Sequence, residues 1–153
     1  MLTARGVKPV CICHQVFQST YLFGAFAPMT GDYFLLEMPQ CNADCFQIFM
    51  DELSREKPDD FNLIVLDNGA FHKAKKLIIP RNIALLFLPP YAPELNPAEK
   101  MWAGFKRNFT NKIFHSLEQV SDFIKDTIET ITPETVKSTC RYKYIFVDKY
   151  WTI

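Results

Sequence analysis

Long apolar runs are missing from this 153-residue chain, and none approaches the roughly 20 residues that a membrane-spanning helix needs. The first 30 residues also lack the ordered charged, apolar and cleavage regions of a secretion signal, so a soluble, cytoplasmic protein with no membrane partner is expected. Net charge is absent as well: 17 Lys and Arg balance 17 Asp and Glu, which argues against a surface that holds nucleic acid everywhere by charge alone. No glycine-rich phosphate loop, internal repeat, low-complexity tract or serine-histidine-aspartate phrase occurs. The five cysteines, at 11, 13, 41, 45 and 140, are an odd number without the regular spacing of a secreted disulfide framework, and they read as reduced thiols. Together with His14, four of them would suffice as zinc ligands. Cys-x-Cys and Cys-x-x-x-Cys are not the usual finger spacings, however, and small buried hydrophobes are the expectation. Acidic residues are missing from one end: no Asp or Glu precedes Asp32.

What is present suits one globular domain over residues 1–153, with 48% hydrophobic residues and a core rich in Phe and Tyr. Val10 to His14, Thr20 to Ala27 and Tyr33 to Leu36 read as three successive strands, an antiparallel meander, with a hairpin signal at Met29-Thr30-Gly31-Asp32. Asp32 is a turn residue first. From Asn42, a plausible N-cap, the period changes: Phe46, Phe49, Met50 and Leu53 share one helix face, predicting a helix to about Arg55.

The chemistry gathers between Leu63 and Trp102. Leu63 to Leu66 is an apolar run that ends at Asp67 and an Asn68-Gly69 turn, the pattern of a strand buried on both faces. A short basic helix and a second strand, Ile83 to Leu88, complete a crossover unit. Pro89-Pro90-Tyr91 then leads to Asn96, which suits an N-cap, and Pro97, which suits a first helical turn, so Glu99 lies in that turn. Two carboxylates, one ending a strand and one starting the helix after the next strand, can meet at one sheet edge. At about 4 Å two like charges repel by roughly 1 kcal/mol in water and about 4 kcal/mol at an effective dielectric of 20, so their convergence favours a cation. Oxygen ligands point to Mg2+ or Mn2+. Plainer readings stand beside this one: Asp67 can end a strand in a turn, and Glu99 is where a capping-box glutamate belongs.

Taken as a phrase, IVLDNGAFHKAK followed by ALLFLPPYAPELNPAEKMW resembles the catalytic domain of DDE transposases, in the bacterial insertion-sequence branch related to mariner-type elements. Arg5 to Val10, Tyr21 to Ala25 and Pro39 to Asp44 extend the resemblance upstream. It implies a ribonuclease H-like α/β fold, a mixed sheet flanked by helices, in which three acidic residues hold two divalent ions that activate water or a DNA 3′-hydroxyl for attack on a phosphodiester. By motif match Asp67 is the second acid and Glu99 the third, with 31 residues between them. The family's first aspartate lies on a strand upstream of the Arg-Gly-Val-Lys-Pro-Val phrase, which begins here at Arg5. The expectation is therefore that this polypeptide lacks the first catalytic strand, its aspartate and an N-terminal helix-turn-helix DNA-binding domain.

Three consequences follow. Cleavage by this chain alone should be inefficient. The loss of a central strand should leave a rearranged sheet, or a homodimer or pairing with an upstream polypeptide that fills the gap. DNA, as transposon ends and target, is the implied partner, and Lys73, Lys75, Lys76, Lys100, Lys106 and Arg107 are the candidate phosphate contacts, because residues 73 to 112 hold eight basic side chains against two acidic ones. His72 matches a position that often carries histidine in this branch, with a phosphate contact or the orientation of Asp67 as its function. Asn96 shapes the loop before Glu99. Two rivals remain: a non-catalytic remnant that binds DNA or its own copies, and some other ribonuclease H-like nuclease. Downstream, Met101, Trp102, Phe105 and Phe109 form an apolar core stripe, Ser116 to Gln119 has capping-box form, and Thr132-Pro133 starts a shorter helix.

Overall fold

The computed structural model describes residues 20–67, 75–90 and 95–141, together with the backbone path of 7–17. Its elements in order are β1 (Val7–Phe17), β2 (Thr20–Phe26), β3 (Tyr33–Met38), α1 (Ala43–Glu56), β4 (Asn62–Leu66), β5 (Ile83–Phe87), α2 (Ala98–Phe109), α3 (Leu117–Glu129) and α4 (Pro133–Thr139). The strands form one mixed sheet in the order β3-β2-β1-β4-β5. β1, β2 and β3 are antiparallel neighbours, as the meander pattern predicts, while β4 runs parallel to both β1 and β5.

The expectation is a gap at the centre of the sheet, met by rearrangement or by a partner; instead a strand of this chain lies there. β1 fills the central place, and no gap separates the meander from β4. It does so by dividing its length: Val7 to Val10 pairs with Leu63 to Leu66, and Val10 onward pairs with β2 through two register irregularities. This central strand, VKPVCICHQVF, contains no carboxylate.

Side-chain alternation gives the sheet two covered faces. On one, Phe23, Ala25, Ile64 and Leu66 pack against Phe46, Phe49, Met50 and Leu53 of α1. All four of those α1 residues are fully buried, which is what their spacing predicts. Asn42 caps this helix through a 2.9 Å bond from the Cys45 amide to its Oδ1. On the other face, Leu22 and Phe26 meet Ala98, Met101, Trp102 and Phe105 of α2, with Val120 and Ile124 of α3 and Val136 of α4 behind them. Ser116 and Thr132 cap α3 and α4 as their sequences predict. A Ser121 hydroxyl donating to Glu37 Oε1 at 2.8 Å ties α3 to β3.

The crossover into β5 is held from α1. The Gln47 side-chain amide accepts from the Ile78 backbone N–H and donates to its carbonyl, both at 2.8 Å, pairing with the chain as a strand residue would. The basic helix expected between β4 and β5 falls mostly on residues outside those described; Lys75 and Lys76 form a turn. Gly31, with φ +82°, makes the β2–β3 turn that predicts a hairpin. Asp32 is exposed in that turn, 3.7 Å from Lys57 Nζ, consistent with a turn role. The cysteines depart from expectation at one place: Cys45 and Cys140 are free and buried, but Cys41 is disulfide-bonded. Among the described residues no helix is long and apolar enough to cross a membrane.

Candidate metal and DNA site

Asp67 follows β4 directly, half-buried, at the end where the ladder continues by a 2.8 Å bond from the Leu88 amide to the Leu66 carbonyl. Its side of the sheet follows from alternation. Ile64 and Leu66 belong to the α1 cluster, so Leu63, Val65 and Asp67 belong to the opposite face, which α2 covers. β4 is a buried parallel strand, and a carboxylate at its tip is therefore carried on a rigid support.

Glu99 reaches the same face through α2. Asn96 is the effective cap of that helix: its Oδ1 accepts from the Ala98 amide at 3.1 Å, its carbonyl accepts from the Glu99 amide at 3.1 Å, and Pro97 already has helical angles. The N-cap and first-turn reading of Asn96-Pro97 is thus met in the structure. Asn96 is 1% exposed, so this cap lies within the protein. Glu99 itself is exposed in the first turn, at the positive end of the helix dipole, a placement that suits a carboxylate. Beneath it, Cys140 Sγ lies 3.8 Å from the Pro97 carbonyl. Burial pushes that thiol up to about 12 from its usual 9.0, and the nearby Lys100 charge opposes the shift.

The basic candidates separate into two groups. Lys106 stands two turns after Glu99 on one ridge of α2, while Lys100 and Arg107 share another outward face seven residues apart. Lys106 and Arg107 also lie in the last turn, where cations complement the helix dipole whatever else they do. Lys75 is exposed, and Lys76 pairs with Asp44 at 2.7 Å, its Nζ shared with a neighbour on α1. His72, Lys73 and Tyr91 lie outside the described residues.

Both acids are carboxylates, the donor type that suits a hard divalent ion such as magnesium or manganese. Among the described residues, however, no group of three or more His, Cys, Asp or Glu side chains could hold a metal ion. Sequence reasoning gave the strand end and the helix start that carry these acids. It missed the Trp102 contact with Gly24 and the engagement of Lys76 by Asp44, which join residues far apart in the chain.

Known proteins resemble this arrangement. The chain is 36% identical over 102 residues to the uncharacterised protein y4pE/y4sA of Sinorhizobium fredii (strain NBRC 101917 / NGR234), a match covering 65% of this chain and 76% of that protein. The Mos1 transposase, solved as a paired-end complex with the left transposon end, superposes with a TM-score of 0.62 at 21% identity, over 79% of this chain and 39% of its own. The catalytic core domain of BIV integrase aligns over 88% of this chain and 81% of its own, at 15% identity and a TM-score of 0.47. The present chain therefore spans about two-fifths of the Mos1 protein, and the likeness is one of fold, a ribonuclease H-like mixed sheet flanked by helices. The sequence profile of the DDE superfamily endonucleases matches residues 3–134, and with most of its length so matched this chain belongs to that family.

Proposed function

We propose that this chain is the catalytic unit of a DDE transposase, serving metal-dependent cleavage of DNA strands and their transfer to a new site. The observation that carries the reading is that Asp67 and Glu99 come to the same face of the sheet, one at the tip of β4 and the other in the first turn of α2. Family membership supports this reading, in which Asp67 and Glu99 serve as the family's second and third acids. A bound magnesium or manganese ion would supply the lowered pKa of a coordinated water and charge stabilisation of the attacking and leaving oxygens.

The chain's own residues divide the remaining work. Asp67 and Glu99 hold the ion from two rigid elements. Asn96 fixes the first turn of α2. Lys100, Lys106 and Arg107, with Lys73, Lys75 and Lys76 of the crossover, contact DNA phosphates, and these contacts position the strand without reading its bases. His72 touches a phosphate or orients Asp67. The remaining acid, the first in the family's order, is not on β1, which has no carboxylate, and a further polypeptide segment, in this or another chain, supplies it. Two acids alone hold a cation weakly, and efficient cleavage needs that remaining acid.

Magnesium titration followed by thermal unfolding tests the reading. The expected result is a Tm that rises with metal in the wild type and stays flat in Asp67→Ala and Glu99→Ala. A flat wild-type response would sink it. Robust manganese-dependent plasmid nicking by the chain alone, abolished in Asp67→Ala, would instead show that no partner is needed.

A second reading, a non-catalytic remnant that binds DNA or its own copies, draws on the absence of a three-ligand group among the described residues. It predicts DNA binding that is indifferent to metal and unchanged in both carboxylate variants.

A further inference from the structure

Three residues after Glu99, Trp102 enters the sheet at the only position on its face of β2 that has no side chain. Leu22, Gly24 and Phe26 alternate onto that face, and the indole lies over the middle one. A Cβ built on Gly24 would stand 2.7 Å from Leu35 Cδ2 and 2.9 Å from Trp102 Cζ2, distances that real Cβ atoms almost never show, and 3.0 Å from Trp102 Cη2. Phe26 meets the indole edge-on, with ring centroids 5.8 Å apart at 76°, and Phe105 packs on it at 5.5 Å. Trp102 is 2% exposed, and its depth of insertion is set by the missing side chain beneath it.

That depth has a consequence for Glu99. Positions three apart on a helix are neighbours on its surface, so Glu99 rides on the flank of the turn that Trp102 pins. Asn96 anchors the same turn from the other side, three residues before Glu99. The carboxylate is thereby held between two fixed points. Gly24 has no left-handed backbone requirement, so glycine is needed there for clearance alone.

We propose that Gly24 is a positioning residue for the cation site: by admitting Trp102, it sets the height of the first turn of α2 above the sheet, and with it the span between the Glu99 and Asp67 carboxylates. The proposal rests on the two-carboxylate reading above. Magnesium-like ions tolerate little error in ligand placement, so a single added methyl group at position 24 should be felt at the site without any change in its ligands.

Manganese binding to the full chain, read by electron paramagnetic resonance, tests this, with circular dichroism and Tm measured without metal on the same samples. Gly24→Ala is expected to fold and to bind manganese about ten-fold more weakly than wild type. Adding Trp102→Phe to Gly24→Ala, which shortens the ring by about the room the methyl takes, should recover most of that loss. Leu53→Ala, on the α1 face, should lower the Tm and leave manganese affinity at the wild-type value. Wild-type affinity in folded Gly24→Ala overturns the proposal, as does an equal loss in Leu53→Ala, which would mark the effect as general loosening. If Gly24→Ala does not fold, Trp102→Phe alone decides: weaker binding supports the proposal and unchanged binding overturns it. A wild type that binds no manganese, or that binds it equally well as Asp67→Ala, removes the underlying two-carboxylate reading and is told apart by that control.

Discussion

The two faces of the sheet are built for different ends. The α1 face is closed and uniformly apolar, with Phe23, Phe46, Phe49, Met50, Leu53, Ile64 and Leu66 buried together and Phe23 and Phe49 in contact at 5.7 Å. The α2 face is also buried, but it is interrupted by a glycine slot and an indole, and the proposed site of Asp67 and Glu99 lies at its end. In the proposed reading one face supplies stability and the other supplies the geometry of the cation site. A substitution can therefore be expected to move the folding free energy or the site, according to the face it strikes.

The largest test strikes the α1 face. Phe49→Ala removes a fully buried ring and should cost about 4 kcal/mol in chemical denaturation, while leaving the metal-dependent rise in Tm intact in whatever fraction folds. On the α2 face, Cys140 gives a pH handle. Its folded pKa of about 12 lies above the ordinary 9.0, so the native state holds the thiol proton more tightly than the unfolded chain does. The stabilisation is complete below pH 9 and fades as the pH climbs toward 12, and Cys140→Ala should flatten that part of the stability profile. Asn96→Ala removes the cap of α2 and should cost about 1 kcal/mol by urea unfolding, with weaker manganese binding as the mark of a face devoted to geometry. The smallest effect belongs to the surface. Lys76→Ala breaks an ion pair whose members are both well exposed, and urea unfolding should register a change of no more than about 0.5 kcal/mol. DNA binding measured against salt would then report whether that lysine, shared with Asp44, also meets phosphate: if it does, the salt slope falls by about 1.

Legibility in the sequence follows the range of the interaction. α1, α3, α4 and the start of α2 announce themselves because a cap and its amide are two or three residues apart, as with Asn42 and Cys45 or Asn96 and Ala98. β4 is equally plain, an apolar run stopped by a carboxylate. The central position of β1 is not, because its pairing with Leu63 to Leu66 joins segments more than fifty residues apart and its own pattern says only that it is a strand. The slot at Gly24 is hidden for the same reason: nothing local distinguishes a glycine that clears an indole from one that merely weakens a strand. Local chemistry wrote the two carboxylates into the sequence, and long-range packing decided how they are held.

Gln47 reaches the crossover through the amide and carbonyl of residue 78, which every amino acid except proline presents alike. The tether is blind to the side chains it restrains. Ile78, 77% exposed, and its neighbour Lys75 can thus be exchanged for other residues without loosening this tether, which leaves the surface chemistry of the edge open to change on an unchanged frame.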